Sequence, residues 1–456
     1  MPIHALSAKT GLKKALRQLS DRVPPLRTAG GLSLPLSLSR SLPASLPLSL
    51  PALRRQTGAP LPDPDAPLQI KDVLSIPVVE TNAEDAASDK AIAEGQYLAR
   101  QDRWDEVEHR ITAADAAGDA TPGGAPIADL IAYGARADVI NALDHALSAG
   151  VALSDKVTLD GIMSLERVRL DCARSPVLST VVALAHLDIS WAFQRSSARP
   201  QEPQTANLQA RATAHHSRAR ALLSQIPVDG AKHRFQQAAQ CALYSGGRTA
   251  EVRGIADEYF DLIRLDPANP RHLRALGTHL AEQGAEGLAA LELEARRAAV
   301  LTTDHWGEAG YTWVYFDVLA RSDAACALVD PQFFVDGFVD IVERAPNQDR
   351  INLLSAYCCI SLRSAPHATP EANRLRQDIA EAADWLIRKH LREVQPMIWA
   401  HAAAGFDNDA QVASLRQFAE RGKDAAFQAI AKLFRTEIEA GQRVVFTETG
   451  PELFPA

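Results

Sequence analysis

The densest set of chemistry-bearing side chains lies between residues 304 and 316. Asp304, His305, Trp306, Glu308, Tyr311, Trp313, Tyr315 and Phe316 put two acids beside most of the region's aromatics. Carboxylates next to tryptophans are the tools of glycoside cleavage: an acid and a base across a sugar that stacks on the rings. Such a pair stands roughly 5 to 9.5 Å apart across a cleft. Asp304 and Glu308 are one helical turn apart on the same side, so a second acid from elsewhere would have to complete the site. The same residues also read as packing. Aromatics at helical spacing fill the space between helices, and acids at a helix N-terminus are favoured by its dipole.

Other catalytic signatures are absent from the sequence: no HExxH, GxSxG, GxxxxGK[ST], or GxGxxG after a strand. No cofactor is implied. FDNDAQ, at residues 406–411, has the acids of a calcium loop but lacks the glycine at its sixth position and an acid at its twelfth. Asn408 there reads as a helix N-cap. His215 and His216 sit among Arg211, Arg218 and Arg220, which predicts a solvated basic face. The five cysteines (172, 241, 326, 358 and 359) form no CxxC pair and no metal-ligand spacing. They read as small buried hydrophobes in a reducing compartment, and no metal site is expected.

The elements that must position these residues are helical. The chain has 456 residues, 46% of them hydrophobic but only 6% aromatic, with Ala and Leu dominating the apolar segments. Ala and Leu are the strongest helix formers, and short Val/Ile/Thr runs at regular spacing are missing. Three regions are expected: a leader and linker over 1–67, an N-terminal helical region over 68–200, and a C-terminal helical region over 201–456. The polar, Pro-containing stretch 195–205 marks the internal joint. Helices are predicted near 126–149, 157–171, 175–195, 206–225, 231–245, 249–264, 270–283, 286–301, 305–321, 331–344, 348–363, 370–393 and 409–440, with an extended tail after them. The apolar stretch 176–193 carries His186 and Asp188 in its middle and reads as a buried helix rather than a membrane span.

Charge is distributed unevenly. The net charge is −8, yet residues 1–60 carry nine Lys/Arg against Asp21 alone, a local +8 that leaves −16 for the remainder. An acidic body repels phosphate backbones, which argues against nucleic acid as a partner. In the leader, Leu12, Leu16, Leu19 and Val23 recur at helical spacing beside Lys9, Lys13, Lys14 and Arg17. That is a basic amphipathic pattern, suited to contact with an anionic membrane surface or to targeting. Composition allows an organelle transit peptide, with a matrix location, or a disordered basic tail on a cytoplasmic protein. A secretory signal fits poorly, since prolines and Arg40 interrupt the apolar stretch. From residue 31 to 67 the chain cycles Leu, Ser and Pro, the composition of an extended linker.

One pattern organises the remainder. Leu273, Leu276, Gly277 and Leu280 fall at spacing 0, 3, 4 and 7, and Trp306, Ala309, Gly310 and Trp313 repeat it 33 residues later. A period of that size in a helical chain means stacked helix pairs. With Ala289 and Leu293 on the second helix, Pro267 closing the preceding unit and Tyr259 at its aromatic position, the region resembles a tetratricopeptide-repeat array. The resemblance is good over 236–321 and divergent elsewhere: Leu301 stands where the closing proline belongs, and Tyr357 where a glycine belongs. It implies an all-α fold built as a right-handed α-solenoid. It further implies a non-enzymatic scaffold or adaptor that binds a protein or peptide on the inner face of its first helices. Arg271, Arg274 and Thr278 of one unit, with Tyr311 and Tyr315 of the next, would form that face. Two arginines beside two tyrosines suit an acidic or carboxylate-ended peptide. The other reading is an α/α toroid acting on a carbohydrate through Asp304 and Glu308.

Overall fold

The computed structural model describes residues 73–150, 157–172, 175–199, 204–226, 233–246, 252–363, 367–405 and 414–455. The leader and the 406–411 loop fall outside them. The fold is mostly helical, as the composition predicts. The first helices are α1 (Ala83–Arg100), α2 (Trp104–Ala117), α3 (Ile127–Ser148), α4 (Val157–Asp171), α5 (Pro176–Ser197), α6 (Thr205–Leu223) and α7 (Arg234–Ala242). They surround one core, centred on Val107, Ile111, Ile131, Leu165, Leu187 and Phe193. α1 opens with a capping box: the Asp85 N–H donates to Asn82 Oδ1 (2.7 Å), and the Asn82 N–H donates back to the Asp85 carboxylate (3.1 Å).

Helix α5 is the one described helix long and apolar enough to cross a membrane, but 72% of that span is buried inside the protein. Its mid-helix polar groups are matched. Arg136 of α3 donates to Asp188 at 2.6 Å, and His186 lies 3.2 Å from Glu166 of α4. The joint at 195–205 connects α5 to α6, and these two lie along each other in the same core. A division at residue 200 would separate them. The change of core falls later, at α7, which gives Phe235 and Ala239 to the first core and Cys241 to the second.

The second core takes α8 (Val252–Leu265), α9 (Pro270–Glu282), α10 (Ala285–Trp306), α11 (Ala309–Leu319), α12 (Asp323–Cys326), α13 (Pro331–Arg344) and α14 (Gln348–Ala356). It continues through α15 (Pro370–Ala380), α16 (Ala382–Trp385), α17 (Pro396–Ala404), α18 (Leu415–Leu433) and α19 (Arg435–Glu439). Proline opens α9, α13, α15 and α17, where its missing N–H does no harm. Two expected long helices are interrupted. The 348–363 helix widens into a π-type turn over Tyr357–Ser361, and the 370–393 helix breaks at residue 381 and ends in another over Leu386–His390.

The extended tail becomes a hairpin of β2 (Gln442–Thr447) and β3 (Gly450–Pro455). A short strand absent from the sequence reading, β1 (Leu74–Ser75), pairs parallel with β2, Leu74 opposite Val444. The sheet order is β1-β2-β3. Leu74 and Ile76 thereby belong to the second core although they precede the first.

The 33-residue pattern survives in altered form. α10 runs five residues further than expected, and Trp306 closes it instead of opening the next helix. Gly307 then takes φ +58°, a turn that L side chains adopt only under strain, and α11 starts at Ala309. The register of α10 is also shifted. Ala289 and Leu293, expected to face inward, are exposed, Leu293 by 68%. Gly287, Leu291, Ala295 and Ala298 form its buried stripe instead.

Candidate functional site

The aromatic patch is interior. Trp306 and Trp313 are 3% and 1% exposed and meet edge to face, 5.8 Å between centroids. The Trp306 indole N–H donates to the Pro267 carbonyl at 3.0 Å. No ring face is left for a sugar, while Asp304 and Glu308 point outward and are exposed. The pairing of acids with a stacking platform is therefore not formed.

The five residues expected on a peptide-binding face are mostly committed elsewhere. Tyr311 and Tyr315 are fully buried, and both hydroxyls donate to Glu292 Oε2 at 2.6 and 2.8 Å. Burial and that carboxylate hold both phenols far above their ordinary pKa, so they act as donors locked to α10. Arg274 makes a two-pronged pair with Asp317 of α11, 2.7 Å on each prong, and lies over the Phe316 ring. Thr278 is half-buried. Tyr311, Tyr315 and Arg274 cannot meet a ligand without breaking contacts between α9, α10 and α11. Arg271 differs. It sits in the first turn of α9, its side chain is 58% exposed, and its ion pair with Glu84 is long at 3.7 Å.

Arg271 stands on the wall of a cleft where the two cores meet. The cleft encloses ≈ 300 Å³ between α3, α5, α7, α8 and α9. Its apolar lining comes from Leu130, Trp191, Tyr259, Leu262 and Ala275, and its polar groups are Asp129, Asn269, Arg271, His272 and His279. The local sequence explains the placement. Asn269 caps α9 by accepting the Arg271 N–H (3.1 Å), and Pro270 at the first turn fixes the helix direction. Arg271 and His272 thus leave the helix start side by side. His272 Nε2 lies 3.2 Å from both Asp266 and the Asn269 amide, which ties it to the turn before α9.

The electrostatics of the cleft are set by burial. Desolvation pushes the Asp129 carboxyl up to about 6, against the opposing pull of His272 and Arg136. Asp115 in the adjoining cavity is also raised by desolvation. For Asp266, burial is outweighed by the His272 and Asn269 hydrogen bonds, and its pKa is lowered. His279 is pushed down to about 4 by burial, so its ring is neutral and can share a 2.8 Å hydrogen bond with the Tyr259 hydroxyl. Among the described residues no His, Cys, Asp or Glu group is arranged to hold a metal ion.

A carboxyl whose folded pKa exceeds its unfolded value is stabilising only while protonated, so stability falls as pH rises from about 4 through 6. Asp129→Asn should remove that fall. We expect little change at pH 4 and a gain of about 1–2 kcal/mol at pH 7 in urea unfolding, the per-unit value being reduced because Asp129 is half-buried.

In the sequence Arg271 alone of these residues stands out for binding, and Tyr259 only as a repeat aromatic. Asp129, Trp191, Tyr259 and His272 come from four helices spread over two cores, and no local spacing links them. His215 and His216 are likewise not a solvated face. His215 packs on Phe193 and reaches His186 (Nδ1 to Nδ1, 2.8 Å), while His216 Nε2 lies 2.9 Å from the Leu243 carbonyl.

Comparison with known proteins returns no matching family model, no similar curated protein and no similar solved structure.

Proposed function

We propose that this protein is a non-enzymatic helical-repeat scaffold whose helix pairs stack in the manner of a right-handed tetratricopeptide-like solenoid. Its ligand is a peptide segment of a protein partner, taken in the cleft between the two cores. The observation that carries this reading is the cleft itself: an apolar floor with one weakly paired arginine on its wall. A volume of ≈ 300 Å³ accepts one large apolar side chain with room for its backbone. Such sites combine a mostly apolar pocket with a few polar groups that fix orientation. Trp191, Leu262 and Ala275 supply the pocket, and Arg271 takes an acidic side chain or a terminal carboxylate through charge-assisted hydrogen bonds. Half-protonated Asp129 leaves Arg271 the dominant charge at mildly acidic pH.

Labelled peptides that pair one aromatic or leucine with a neighbouring acid or free C-terminus test the reading by fluorescence anisotropy. Arg271→Glu should weaken binding by about tenfold or more, the equivalent of losing one hydrogen bond to a charged group. Blocking the carboxylate as an amide should weaken it similarly. Arg264, exposed on α8 and paired with Asp261, gives a control reversal that should leave binding intact. Equal binding by wild type and Arg271→Glu, or no binding by any such peptide, would remove this function.

A further inference from the structure

A second concavity lies beside the 304–316 segment, between the C-terminal half of α10 and α13. It is an open groove of ≈ 600 Å³. Val300 and Val339, exposed by 79% and 42%, stand on its two sides with half-buried Phe333. Leu293, exposed by 68%, lies two helical turns before Val300 and extends the apolar strip along α10. Exposed aliphatic side chains grouped in this way mark a surface that is covered in use.

The groove is also acidic. Glu308, Asp336 and Asp340 line it, with Arg344 as the basic residue. Asp340 accepts the Glu308 N–H at 2.6 Å and lies 3.6 Å from Arg344. Desolvation, then the negative charge of Asp336 and Asp340, raises the Glu308 carboxyl above its ordinary range. Asp336 takes a hydrogen bond from Gln332 of its own helix. An occupant must therefore bring basic groups alongside apolar ones.

We propose that the occupant is the chain's own N-terminal segment, residues 3–23. Its sequence has the complementary pattern: Leu12, Leu16, Leu19 and Val23 for Val300, Val339 and Phe333, and Lys9, Lys13, Lys14 and Arg17 for the acids. This is amphipathic helix-in-groove recognition with charge complementarity fixing the partner. Reach is not limiting. Roughly 50 residues separate Val23 from β1, about 165 Å at full extension and about 40 Å even as a coil. A body of this size has a radius of gyration of about 21 Å. Tethering places the segment at millimolar effective concentration, so a weak intrinsic affinity suffices. Docked there, the basic segment is withheld from anionic membranes and targeting receptors, which read the same face of it.

Zero-length carbodiimide cross-linking of the purified full chain, followed by peptide mass spectrometry, tests this. Amide links are expected from Lys9, Lys13 or Lys14 to Glu308, Asp336 or Asp340, within the monomer and independent of protein concentration. Their yield should fall severalfold between low salt and about 0.5 M salt, where the Debye length drops to about 4 Å. Leu16→Asp, a change in the segment and not in the groove, should reduce the links about fivefold or more. Asp336→Lys should reduce the remaining links to Glu308 and Asp340 to a similar extent. Links scattered evenly over surface acids, links only between two copies, or yields unaffected by Leu16→Asp would overturn the proposal. So would loss of residues 1–23 from the purified chain, or binding of the segment to anionic vesicles with the groove unlinked.

Discussion

Replacing Gly277 with alanine is expected to destabilise the protein by about 3 kcal/mol or more in urea unfolding, at or above the upper end for overpacking a core. The cause is a backbone contact. A Cβ at Gly277 would sit 1.8 Å from the Val314 carbonyl oxygen and 2.8 Å from its carbon. Neither atom can rotate away as a side-chain tip could, so α9 and α11 must move apart. Leu273, Leu276 and Leu280, all fully buried at that interface, then lose contact together. Alanine's better helix propensity returns about 1 kcal/mol and does not offset this. Gly254→Ala in α8 is the matched control. No atom lies within 4 Å of a Cβ there, so the same substitution should stabilise by about 0.5–1 kcal/mol. If both variants shifted stability in the same direction, close approach of α9 and α11 at Gly277 would be refuted.

Asn352 carries the second large effect. It is fully buried, and all four of its hydrogen-bonding positions are used. Its amide donates to the Gln348 and Glu393 carbonyls at 2.9 and 3.0 Å. Its carbonyl accepts the Gln395 N–H at 3.0 Å and the Trp399 indole N–H at 2.8 Å. One side chain thus joins α14, the loop before α17, and α17 itself. Asn352→Ala leaves several buried groups unpaired at about 1–3 kcal/mol each, and a loss of about 4 kcal/mol is expected. Asn352→Asp keeps the shape but turns two donors into lone pairs facing carbonyls. Its deficit should exceed that of alanine at pH 7 and shrink toward pH 4, as the carboxyl gains a proton and recovers one donor. Thermal or urea unfolding of the two variants across that range measures the difference. A pH-independent deficit for Asn352→Asp would show that the network is not formed as described.

Much of the helical layout was legible because it depends on local chemistry. Asn269-Pro270 and Asp330-Pro331 each combine a cap with a proline at the first turn, and both start helices at those points. Gly277 and Gly310 stood out by spacing, and at both a Cβ would strike a neighbouring helix. The next such glycine was missed. Gly337 faces Thr312 of α11, with Phe334, Phe338 and Ile341 buried around it, but it follows Gly310 by 27 residues rather than 33. A search for a fixed period passes over a shortened unit. The boundary near Trp306 was misplaced for a related reason: Gly307 ends α10 through its own backbone geometry, whereas a spacing match treats it as helix interior.

The site was less legible than the fold. Arg274, Tyr311 and Tyr315 have the right types for binding, and type alone does not reveal that Asp317 and Glu292 already occupy them. Those partners lie 43, 19 and 23 residues away on other helices. Asp129 carries the most informative chemistry of the cleft, yet in the sequence it is one acid in the first turn of an apolar helix. Its burial, at the cleft where the two cores meet, is what raises its pKa.

The pairing of β1 with β2 bears on how the chain is made. Leu74 and Val444 are about 370 residues apart, and closing a loop of that length costs about 5 kcal/mol of chain entropy before any contact repays it. At ribosomal speeds of about 5–20 residues per second, Leu74 emerges roughly 20–75 s before its partner is synthesised. Until the helices from α8 onward are made, Leu74 and Ile76 have no second core to enter, while the first core can already assemble behind them. The clasp therefore forms late, only once β2 has been made. A ribosome that stops between α8 and β2 releases a protein whose first core is complete but whose leading strand lacks its partner, a difference open to quality-control proteases.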